Sequence, residues 1–205
     1  MTIVIRNWLL LLAAVAVAKD PPKFNPGSIT DYPNRRTVEQ VRIAARAYAT
    51  EDLTRAAFGK LNPNRYGVLP ILVLIENAGR QTIVLDRMRL EYVMPDRRRV
   101  EATPAAEVKY LRAPDRPGMV TGPIPGGRPR LSRQKNPLNV WEIEGRAFAA
   151  RVLPPGQTAS GFFYFQAPYR TGSQLYITGL REAPGERELF YFEILLDDAA
   201  GAGDR

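Results

Sequence analysis

The chain has 205 residues, 29 Lys and Arg against 21 Asp and Glu, and a formal net charge of +8, with no His and no Cys. Without those two residue types, Ser-His-Asp and Cys-His catalysis, thiol chemistry and disulfides are excluded, and ordinary zinc, copper and haem sites lose their usual ligands. Of the basic residues, 24 are Arg and five are Lys. A field of this sign favours anionic neighbours, although Arg beside abundant Ala, Gly and Pro is also what GC-rich codons produce.

Arg6 is the only charge ahead of the apolar run Trp8–Val17, and Ala16 and Ala18 form an A-x-A site before Lys19-Asp20. A basic start, a short apolar core and small residues at the cut predict a secretory signal over residues 1–18. Ten apolar residues make about 15 Å of helix, half the hydrocarbon thickness of a bilayer. An uncleaved anchor is the alternative. No Cys follows the run, so a lipoprotein anchor is excluded, and no later run is long enough to span a membrane. The mature chain is therefore expected outside the cytoplasm, in the periplasm or beyond, without a transmembrane segment.

Residues 19–36 hold four Pro and no periodicity, and are expected to be an extended leader. From Val41 to Thr50 apolar and polar residues alternate, which predicts a half-buried strand. A helix opened by a Thr37–Gln40 capping box is the rival. Thr50 can cap a short helix over 51–58, with Glu51 and Asp52 at its positive end and Gly59 past its last turn. Gly67–Glu76 reads as a continuous apolar strand, buried on both faces or nearly so, with Pro70 at an edge or bulge. Asn77–Arg80 is a turn. Thr82–Met94 reads as one long strand whose alternation changes phase, the signature of a β-bulge. A turn at Pro95-Asp96 leads into a short strand over 98–102. Thr103-Pro104 then predicts a short helix over 104–111.

Residues 112–138 carry six Pro, four Gly and six basic residues against one Asp, and no apolar period. They are expected to form a long exposed loop. Strands are expected again over 139–152, broken by Gly145, then over 159–166 and 175–180. Pro184–Arg187 is read as a hairpin turn into a strand over 188–197, with Phe190, Phe192, Ile194 and Leu196 on one side. Residues 199–205 form a tail outside the fold. About seven strands with one or two short helices predict an all-β, mainly antiparallel domain over 37–198: two packed sheets, with a closed barrel as the alternative.

Two stretches carry a family likeness. Phe58-Gly59, Gly67–Pro70, Glu76–Gly79 and Ile83–Leu90 form one; Leu153–Gln157 leading into Gly161–Phe165 form the other. Together they resemble exported bacterial immunoglobulin-like domains of uncharacterised function. The resemblance spans about residues 41–111 and 150–197. It implies an immunoglobulin-like β-sandwich and brings no activity and no site.

The remaining motifs are weak. Ser132–Lys135 matches S-x-x-K, but in a Pro-rich loop rather than at a helix start, and no K-T-G accompanies it. Gly122–Gly127 looks like a phosphate loop, yet Pro123 and Pro125 remove amide donors and no G-K-[ST] follows. Glu142 and Glu144, on a strand, share a face about 7 Å apart, as a glycosidase pair or calcium ligands could; a solvated face explains them as well.

Arg87 and Arg89 share a face of the strand expected over 82–94, and Arg97, Arg98 and Arg99 crowd the turn after it. With Arg112, Arg116, Arg128, Arg130, Arg133 and Lys135 they make the candidate partner- or anion-binding surface. Aromatic residues are few in the basic loop, so stacking platforms for nucleic acid are missing. No cofactor is expected. The functional expectation is a non-catalytic module that docks onto another envelope protein by a sheet edge or the 112–138 loop. The alternative is a binder of anionic polymers such as lipopolysaccharide, acidic glycan or nucleic acid.

Overall fold

The computed structural model describes residues 24–111, 136–185 and 187–197. The expected signal segment, the tail at 199–205 and residues 112–135 of the basic loop lie outside the described residues.

Phe24 to Tyr32 lead in along the body. Ser28 caps a single 3-10 turn, Ile29–Asp31, by a reciprocal exchange with Asp31, and Ile29 and Tyr32 are buried. Strands β1 (Arg35–Val38) and β2 (Val41–Ala47) form a hairpin, with Glu39 and Gln40 at positive φ in the turn. The alternation read in 41–50 is thus a strand over 41–47, but it is covered on both faces rather than half-buried, with Ala44 in the core opposite Ile43. Helix α1 (Glu51–Phe58) follows as expected. Thr50 Oγ1 accepts from the Leu53 amide, and Gly59, at φ 63°, closes the helix by donating to the Arg55 carbonyl.

Strand β3 (Leu69–Asn77) lies between β2 and the later β8 (Thr158–Phe165), so the sheet runs β1-β2-β3-β8. Pro70 therefore sits in an inner strand, not on an edge. Its backbone faces Tyr48, one residue beyond the end of β2. The Tyr48 amide donates to the Pro70 carbonyl at 2.9 Å. The Tyr48 carbonyl, which a proline cannot serve, accepts from the Asn64 side-chain amide at 2.8 Å.

The strand expected over Thr82–Met94 is two strands in two sheets. β4 (Thr82–Val84) ends at a turn where the Met88 amide donates to the Leu85 carbonyl, and β5 (Arg89–Val93) starts afresh. The phase change is the corner between sheets, not a bulge. β6 (Arg99–Glu101) returns against β5. Helix α2 (Ala105–Val108) forms, but the Thr103 hydroxyl does not cap it. Instead the Thr103 amide donates to the Tyr164 carbonyl.

The segment expected as a strand after 139 opens with a one-turn helix, α3 (Trp141–Gly145). Leu138, placed by the sequence in the exposed loop, is buried. β7 (Val152–Leu153), β9 (Gln174–Thr178), β10 (Arg181–Ala183), β11 (Arg187–Glu188) and β12 (Phe192–Leu195) complete the strands. The last hairpin joins β10 to β11, while β12 pairs with β9. Phe192, Ile194 and Leu196 point inward as read, but Phe190 is exposed and Leu189 buried, because the Leu189 amide is tied to the Leu180 carbonyl.

Twelve strands in three sheets thus stand among the described residues, against seven expected: the sheet above, β11-β10-β4-β7 and β12-β9-β5-β6. The fold is mainly antiparallel β with few helices. One face of the first sheet (Ile43, Ile71, Val73, Ile75) shares a core with the inner faces of the other two, including Tyr92, Leu175, Ile177 and Phe192. Its opposite face (Ala44, Leu72, Leu74, Phe162, Tyr164) is roofed by α1, α2 and α3 through Phe58, Val108 and Ile143. Three layers result, and the unbroken apolar run of β3 is what a strand covered on both faces requires. Among the described residues, no helix is long and apolar enough to cross a membrane.

Candidate functional site

The sheet β12-β9-β5-β6 has no layer over its outer side among the described residues. Period-two alternation sends Leu90, Tyr92, Leu175, Ile177, Phe192 and Ile194 into the core. Their neighbours in sequence therefore face out: Arg89, Glu91 and Val93 on β5, Arg99 and Glu101 on β6, Tyr176 on β9, Glu193 and Leu195 on β12. The register sets Tyr176 between Glu193 on one side and Glu91 on the other. The Tyr191 ring lies 5.3 Å from that of Tyr176. The Arg99 guanidinium sits 5.0 Å over Tyr176 and bonds Glu91 at 2.7 Å. Tyr191 is 54% exposed and Leu195 46%.

This face holds part of the predicted Arg surface and divides it. Arg89 and Arg99 belong to it. Arg97 and Arg98 stand at the β5–β6 turn, where Arg97 takes the left-handed position at φ 65°. Arg98 bonds Asp96 at 2.8 Å, which holds that carboxyl below its ordinary value. Arg87 does not share a strand face with Arg89, since it lies in the turn that ends β4. Its neighbour Asp86 is held low first by a hydrogen bond from Arg181 at 2.8 Å. Arg112, Arg116, Arg128, Arg130, Arg133 and Lys135 lie outside the described residues. Sign also matters: Glu91, Glu101 and Glu193 interleave with Arg89 and Arg99, so the outward face is mixed rather than basic.

Glu142 and Glu144 do not share a strand face. Both lie on α3, where a spacing of two turns them to different sides, and Glu144 bonds Lys109 at 3.1 Å. The sequence reading missed Tyr176 and Tyr191 as a pair. Their meeting depends on the β9–β12 register, which no local pattern shows.

No family model matches the chain, and no curated protein matches it. Among solved structures it is similar to the YjhA protein from Bacillus subtilis, at 10% identity and TM-score 0.37, covering 81% of this chain and 98% of that one. A protein solved as structural-genomics target SoR45 shares 13% identity at TM-score 0.35, covering 81% of this chain and 93% of that one. A functionally unknown protein from Listeria monocytogenes shares 12% identity at TM-score 0.30, covering 69% of this chain and 67% of that one. Likenesses at this level carry no argument about fold or function.

Proposed function

We propose that this chain is an exported, non-catalytic binding module of the bacterial envelope, which docks onto another envelope protein through the outer face of the β12-β9-β5-β6 sheet. In this reading the facing sheets are an immunoglobulin-like sandwich roofed by helices on its far side, and residues 1–18 are the export signal. The observation that carries it is half-buried Tyr176 in ring contact with exposed Tyr191 and beside exposed Leu195, rimmed by charges of both signs. Tyr and Arg in an exposed apolar patch are what protein interfaces favour. A polyanion would meet Glu91, Glu101 and Glu193 on this face, so like-charge repulsion weakens the rival reading there.

The test is capture from the envelope extract of the source cells at low and high salt, with Tyr191→Ala in parallel. The proposal expects a discrete protein retained at both salts by the wild type and lost with Tyr191→Ala. Binding that collapses steeply with salt and ignores Tyr191 would favour the polyanion reading.

A further inference from the structure

A cleft of about 550 Å³ opens on the helical side of the molecule, between α1, α3 and the first sheet. It shares no lining residue with the outer sheet face, so a ligand could occupy it whether or not a partner docks there. Phe24, Ala56, Leu72 and Trp141 give it apolar walls. Its size is that of sites for small organic ligands.

Arg146 also lines it. The guanidinium is ringed by Phe24 at 5.5 Å and by Phe58 and Trp141 at 6.0 Å. Its Nη1 is buried and has no hydrogen-bond partner among the described residues. Arg146 has no ion pair among the described residues, whereas Arg42, Arg55, Arg65, Arg98, Arg99 and Arg187 each pair with an acid. A buried guanidinium nitrogen without an acceptor is costly, and aromatic faces compensate the charge without serving the N–H. The arrangement lacks an oxygen acceptor carrying negative charge.

We propose that the cleft binds an apolar monocarboxylate, its carboxylate on Arg146 and its hydrocarbon body against Phe24, Leu72 and Trp141. The backbone around Arg146 is fixed independently of its side chain, because its carbonyl accepts from the Phe162 amide at 2.8 Å. Glu142 also lines the cleft. Its charge opposes a dianion more than a monoanion, which selects carboxylate over phosphate.

The test is calorimetric titration of the full chain with decanoate, decanol and inorganic phosphate. A charge-assisted pair to a desolvated Arg sets the expected margin: decanoate binds at least about tenfold more tightly than decanol. Phosphate shows no saturable binding. Arg146→Gln lowers decanoate affinity by about the same factor. Ala56→Trp, on the exposed side of α1, fills the cleft without touching the core and abolishes binding. Decanol or phosphate equalling decanoate in the wild type would overturn the proposal even if Arg146→Gln failed to fold. So would undisturbed decanoate binding in Ala56→Trp, or no decanoate binding at all.

Discussion

Asn77 shows how much one polar side chain can organise. It is fully buried, and its amide nitrogen donates to the Gln81 carbonyl at 2.7 Å and the Leu153 carbonyl at 3.0 Å. Its Oδ1 accepts from the Gly79 amide at 3.0 Å. Its backbone joins in, donating to Gln157 and accepting from Gly156. The turn after β3 and the Pro154–Gln157 turn, far apart in sequence, are thereby locked together. Asn77→Ala removes three hydrogen bonds, two to carbonyls and one from an amide, from a buried site, and a thermal or denaturant melt should show a loss of about 3 kcal/mol. Asn77→Asp should be as damaging, because a carboxylate accepts where two carbonyls need a donor. The sequence marks Asn77 as a turn residue, since Asn-x-Gly is a local signal. Its burial is not legible there, because that depends on a partner turn about eighty positions away.

Elements with local signals are legible in the sequence, and elements defined by tertiary contact are not. Helix α1 announces itself through Thr50, the acids of its first turn and Gly59. Helix α3 does not: a single turn holds too few residues to display a 3.6 period, and Trp141-Glu-Ile-Glu alternates as a strand would. What holds it is docking, with Ile143 in the helical core and its carbonyl accepting from the Tyr164 hydroxyl at 2.7 Å. The chain then runs over β8, where Phe148 and Arg146 exchange backbone hydrogen bonds with Phe162. Gly161 permits that crossing, since a Cβ there would lie 2.4 Å from the Phe148 Cα. Gly161→Ala should therefore cost about 2 kcal/mol in a denaturant melt, although alanine suits a strand better than glycine. An unchanged midpoint would contradict so close an approach of the Phe148 backbone to Gly161.

At the scale of the molecule, the doubly buried run of β3 already implies material on both sides of its sheet, while a two-layer reading supplies only one. The missing layer is hidden in short helices and a lead-in segment whose apolar residues are too sparse to show a period. The layered arrangement has a functional consequence. The first sheet spends both faces on packing, while the other two sheets each spend one, and of their outer sides it is that of β12-β9-β5-β6 that carries the Tyr176–Tyr191 pair. Which of the predicted Arg residues meet there is not readable from the sequence, because it depends on the corner that places Arg87 and Arg89 in different elements. The most direct test is site-specific photocrosslinking in living source cells, with benzoylphenylalanine replacing Tyr191 or, on another sheet, the equally exposed Val152. The account predicts one discrete crosslinked protein from position 191 and none from 152. Equal crosslinking from both positions, or none from 191, would contradict it.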